Sequence, residues 1–79
     1  MSRNPQLEAS LLQAKFDLDH CAHEDRATFL KAFERLIGEA LAGRPEVTRH
    51  QLEELLREPY REFRRAKLLE QRARLSRLR

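Results

Sequence analysis

Chain breakers, cysteine and long apolar runs are what this 79-residue sequence has least of. Two glycines and three prolines leave few points where a helix is forced to stop. Abundant Leu, Arg, Glu and Ala with few β-branched residues disfavour strands, so an all-α fold without a sheet is expected. A single cysteine excludes an internal disulfide and fits a reducing compartment. No stretch approaches the ~18 consecutive apolar residues of a membrane span, and the opening MSRNPQLEAS lacks the apolar core of a signal peptide. A cytoplasmic protein is therefore expected. At this length the chain is one domain near the small end of what folds alone, which leaves little room for a deep cleft and makes support from a second copy useful.

Charge is plentiful and unevenly placed. Residues 1–56 carry 7 Lys/Arg against 10 Asp/Glu, a net −3, whereas residues 57–79 carry 9 against 3, a net +6. The basic character of the protein thus belongs to its C-terminal third.

The most one-sided stretch is Phe29 to Leu41, where Phe29, Leu30, Phe33, Leu36, Ile37, Ala40 and Leu41 fall within about 140° of one helical face. This stripe predicts a helix over 26–42. Gly43, in a position that favours a left-handed residue after the last turn, and Pro45 just beyond it end that helix. Gly38 lies at the outer edge of the stripe, where it costs about 1 kcal/mol against Ala unless a backbone approaches closely.

Before that stripe, Asn4 and Pro5 suit an N-cap and a first helical position. Leu7, Leu11, Ala14, Leu18 and Cys21 then stack on one side of a helix over 5–21. Ala9, Leu12 and Phe16 form a second ridge roughly opposite, and a helix apolar on two sides has two neighbours. In so small a chain the second neighbour is expected to be another copy. The alternative is that these are isolated exposed apolar residues. The polar run HCAHED, His20 to Asp25, marks the first turn, with Asp25 as a candidate N-cap; a helix running straight through it is the alternative.

The third helix has the clearest start. Thr48 and Gln51 form a capping box and Val47 and Leu52 a hydrophobic staple. Leu52, Leu55, Leu56, Pro59, Phe63 and Ala66 continue one stripe, so Pro59 is expected to produce a kink or short break within a helix over about 48–77, or to begin a fourth helix. Matched helices of about 25 Å then predict an up-down-up three-helix bundle over residues 1–66, with residues 67–79 as a projecting basic helical extension. Its core candidates are Leu7, Leu11, Leu18, Phe29, Leu30, Phe33, Leu36, Ile37, Leu41, Leu52, Leu55, Leu56 and Phe63.

The functional candidate is the basic tail. Arg57, Arg61, Arg64, Arg65, Arg72 and Arg79 fall between about 120° and 220° from Leu52, with Leu68 and Leu75 in the same arc. A guanidinium ridge of this kind meets acidic protein surfaces by bidentate contacts or neutralises phosphates along a nucleic acid. The bland alternative is a solvated face balanced by Glu58 and Glu62. Leucines within the arc favour protein contact. No outward Asn or Gln set, Lys-rich run or Gly-rich loop is present to read bases, and Arg49, His50, Gln51 and Glu53 make a weak recognition set for a helix-turn-helix formed by the second and third helices. A membrane surface is a third option for such a segment.

Asp19, His20, His23 and Glu24 have helical spacings that bring two ligands to one ion, short of a closed four-ligand site, and Cys21 reads as a small buried hydrophobe. Neither a dry carboxylate pair nor an exposed Cys beside an oriented His is evident. The sequence therefore predicts a non-catalytic helical adaptor or regulator, homo-oligomeric through Ala9, Leu12 and Phe16. It engages a protein partner, or alternatively nucleic acid, through Arg57, Arg61, Arg64, Arg65, Leu68, Arg72 and Leu75. No metal, cofactor or small-molecule substrate is expected.

Overall fold

The computed structural model describes residues 4–77, which form three α-helices and no strand. Helix α1 spans Pro5–His20, α2 spans Arg26–Ala42 and α3 spans Arg49–Arg77, with a single 3₁₀ turn, His23–Asp25, between the first two. The all-α three-helix architecture read from the sequence is the one observed.

Local hydrogen bonds fix most helix ends. Pro5 opens α1 behind Asn4, whose Oδ1 accepts from the Leu7 N–H at 3.1 Å. At the start of α3, Thr48 Oγ1 accepts from the Gln51 N–H at 3.2 Å, and the Thr48 N–H donates to Gln51 Oε1 at 2.9 Å. That is the reciprocal box the sequence predicts. Two other termini depart from expectation. Asp25 precedes α2 but its side chain caps nothing, and Gly43 closes α2 at φ −80°, ψ −10°, within the right-handed region. Because the Gly43 N–H donates to the Glu39 carbonyl and the Arg44 N–H to that of Leu41, the last turn is closed without a left-handed residue. Pro59 neither ends α3 nor starts a fourth helix. Leu55, whose carbonyl loses the Pro59 N–H as donor, is 56% exposed.

Packing follows an up-down-up course. The N-terminal half of α1 (Leu7, Leu11) lies beside the end of α2 (Ala40, Gly43) and the first turns of α3 (Leu52, Leu56), and Phe63 of α3 lies farther along α1 against Phe16. The core is Leu11, Leu18, Phe33, Ile37, Ala40, Leu52 and Leu56, flanked by half-buried Leu7, Leu12, Ala14, Phe29, Leu36, Leu41 and Val47. Half-buried Phe63 packs on Phe16 outside this cluster, and two further expected core residues face water: Leu30 is 41% and Leu55 56% exposed. Both sit at the edge of their stripes, and in a bundle of three thin helices only the centre of each stripe finds cover.

One expectation is corrected at the back of α1. Phe16 is not on an outward ridge but 6% exposed, its ring stacked on His20 at 4.2 Å between centroids and set edge-on to Phe63 at 6.2 Å. Leu12 is half-buried against the core, and only Ala9 of the three is exposed. Helix α1 does have two neighbours, but the second is α3 of the same chain. The His20 ring is held over Phe16 by Nδ1, which donates to the Phe16 carbonyl at 2.8 Å.

Helix α3 is the long member. Its 29 residues span about 43 Å, against about 25 Å for α1 and α2. The radius of gyration is 14.3 Å and the longest dimension 50 Å, where a compact chain of this length would give about 12 Å. The overhang explains the difference.

Candidate functional site

Three contacts hold the base of α3 and thereby aim its free half. Arg49, in the first turn, makes a bidentate pair with Glu34 of α2 and a second bond to Glu53 at 3.1 Å. The hydrogen bond from Arg49 holds the Glu34 carboxyl below the usual carboxylate range, and the same bonds raise the guanidinium pKa. Both side chains are close to half exposed, so this pair sets register more than it adds stability. Farther along, the Tyr60 hydroxyl donates to Asp19 of α1 at 2.5 Å, and the Lys15 ammonium lies 4.9 Å above the Tyr60 ring. Burial first, and Asp19 second, push the Tyr60 phenol above its ordinary value. Phe63 on Phe16 completes the seat.

Past Phe63 the bundle ends. Lys67 is half-buried, its ammonium 5.5 Å from the centre of the Phe63 ring, and every residue from Leu68 to Arg77 is exposed. Leu68, Leu69 and Leu75 are 36%, 57% and 66% exposed. Ordinary surfaces carry scattered apolar residues, but three leucines within eight residues of one helix, none facing a neighbour, form a patch with a reason to exist.

The arginines predicted to carry function divide into two groups. Arg57 and Arg61 form loose pairs with Glu54 and Glu58, both at 3.6 Å, one turn earlier on the same helix. Among the described residues, Arg64, Arg65 and Arg72 have no carboxylate within ion-pair distance. Arg74 pairs with Glu70 at 3.3 Å. The second half of α3 does not fold back on the bundle, and of its arginines only Arg61 and Arg74 have a carboxylate within ion-pair distance among the described residues. Arg61, Arg64, Arg65 and Arg72 line one shallow depression with Leu68 and Leu69. Leu69 was missed by sequence reasoning because it lies about 100° from Leu68 around the helix; only the absence of a packing neighbour makes it part of the surface. Arg79, assigned to the same ridge from sequence, lies outside the described residues, as does Leu78.

No known family, curated protein or solved structure matches this chain. Its function must be argued from its own geometry.

The remaining candidates gather nothing comparable. No group of three His, Cys, Asp or Glu side chains converges among the described residues. His20 is committed to its own helix, His23 is exposed in the 3₁₀ turn, and Cys21 is half-buried with its thiol donating to the Leu18 carbonyl at 3.4 Å. None of the described polar or charged residues is buried. A second opening, where Leu7, Leu11, Ala40, Leu52, Leu55 and Leu56 meet at one end of the bundle, is also lined by Asn4, Glu8, Glu39 and Arg44. No described helix is long and apolar enough to cross a membrane.

Proposed function

We propose that this chain is a non-catalytic helical adaptor that works in a reducing cytoplasm and binds another protein through the second half of α3. In this reading residues 1–66 are a pedestal and residues 67–79 the presenting extension. One observation carries it: Leu68, Leu69 and Leu75 are exposed on the same helix as Arg64, Arg65 and Arg72, which have no carboxylate within ion-pair distance among the described residues. Apolar anchors flanked by Arg are the composition of protein contact surfaces.

A photo-crosslinking side chain at Gln71, with a control at Arg35 on α2, tests this in cell extract. Discrete protein adducts are expected from position 71 only, and they should disappear when Leu68 and Leu75 are changed to Ser. Equal labelling from both positions, or none, would overturn the proposal.

Arg64, Arg65 and Arg72, which have no carboxylate within ion-pair distance among the described residues, also favour a second reading, nucleic-acid binding by the same helix. A mobility shift at low salt that is lost on Arg64→Ala with Arg65→Ala, yet unaffected by loss of the leucines, would select it.

A further inference from the structure

The charge pattern of α3 narrows the partner that the adaptor reading leaves open, and the inference rests on that reading. Leu68 and Leu75 are seven residues apart on a helix exposed on all sides beyond Lys67. They define a seam of the kind two helices share, with the positions flanking it on each side lying next to the flanks of whatever helix docks there. In this frame one flank is Arg65 and Arg72 and the other is Lys67 and Arg74. Every flanking position is basic. The two acids of the segment, Glu62 and Glu70, both fall outside the seam and its flanks, on the far side of the helix. Gln71 lies between the leucines and Arg61 and Arg64 precede them along the same seam, and a wholly apolar partner would leave all three without hydrogen bonds.

A second copy of α3 is a poor occupant, because pairing two such helices sets four cations against four in either direction. Nucleic acid would use the arginines but leave Leu68 and Leu75 in water. A membrane surface rewards a wide apolar face, and two leucines bracketed on both sides by charge make a narrow one. We infer that the partner is an acidic amphipathic helix, with apolar residues facing Leu68 and Leu75, hydrogen-bond acceptors facing Arg61, Arg64 and Gln71, and Glu or Asp on both flanks, that packs along residues 61–77 of α3. Its carboxylates pair with Arg65, Arg72 and Lys67, and with Arg74 in exchange for Glu70, while its apolar residues cover Leu68 and Leu75. Two heptads of contact make this a weak, exchangeable association in which charge sets the choice of partner.

The test uses the full chain and two labelled helical peptides of about three heptads. Both have Leu or Ile opposite Leu68 and Leu75 and Gln at the other seam positions; one has Glu and the other Lys at all flanking positions. In anisotropy titrations the Glu peptide is expected to bind at least tenfold tighter than the Lys peptide and to weaken several-fold between about 50 and about 300 mM salt, since the pairs are exposed. Leu68→Ala with Leu75→Ala should weaken the Glu peptide about tenfold or more. Because both leucines lie off the core, the melting midpoint should not move. Equal binding of the two peptides overturns the inference, as does no binding of the Glu peptide at roughly 0.5 mM. So does tighter binding of a DNA duplex or of anionic vesicles that ignores the loss of both leucines. If the Glu peptide fails while leucine-dependent crosslinks persist at position 71, the acidic helix is wrong and the adaptor reading survives; if the crosslinks fail too, both fall.

Discussion

Phe16→Ala separates the intramolecular role of this ring from the intermolecular one its position in the sequence suggests. The side chain is 6% exposed, stacked on His20 and edge-on to Phe63. Truncating a buried Phe removes about 2–3 kcal/mol of transfer free energy and adds a cavity term, which together give 3–5 kcal/mol in well-packed cores. Here the lower end applies. Phe16 lies outside the main cluster and is covered by the half-buried Phe63 and the exposed His20, which can move in to close part of the void. A loss of about 3 kcal/mol is a large share of the ~4–12 kcal/mol expected for a domain of this size. The same change in a Phe63→Ala background should cost less, by a coupling of about 0.5–1.5 kcal/mol for the aromatic pair. Urea unfolding followed by far-ultraviolet circular dichroism reads both numbers, and sedimentation reads the mass. If Phe16→Ala lowered stability by under ~1 kcal/mol while shrinking an oligomer to a monomer, the ring would belong to an interface between copies and the packing described here would be wrong.

Other consequences are simpler to measure. A Cβ added at Gly38 meets nothing within 4 Å, so Gly38→Ala should stabilise by about 0.5–1 kcal/mol, seen as a melting midpoint raised by a few degrees; a drop would mean that the site is crowded. Thr48→Ala removes an acceptor from the Gln51 N–H and should cost about 1 kcal/mol in urea unfolding, with no change meaning that water caps α3 as well. The Glu34 carboxyl titrates below its ordinary value of 4.5 when folded, because Arg49 hydrogen-bonds its charged form. A depressed folded pKa means that this contribution is complete above 4.5 and lost as pH falls through the folded value, so urea midpoints should fall below pH 4.5 and Arg49→Gln should flatten that part of the profile. An unchanged profile in Arg49→Gln would show the pair to be without effect.

Helix limits were legible wherever a local hydrogen bond sets them. Asn4 with Pro5 and Thr48 with Gln51 satisfy backbone groups within four residues of themselves, so the sequence contains both partners. Asp25 and Gly43 were misread because a residue type suited to a cap does not oblige its backbone to adopt the cap geometry. The site was legible in its charges, since Arg64, Arg65 and Arg72 lie opposite the stripe of Leu52 and Leu56 whatever α3 packs on. Leu69 was not, because its exposure depends on where the bundle stops.

By itself the sequence determined three helices, the direction of the core-facing stripes and the basic surplus after residue 56, because these follow from spacing along one helix. Tertiary structure alone decided that the second apolar side of α1 is covered by Phe63 of the same chain, that Leu30 and Leu55 stay in water, and that α3 leaves the bundle after Lys67. Burial is a property of pairs of helices, and the number of neighbours each stripe finds is set by how three rods of unequal length fit together.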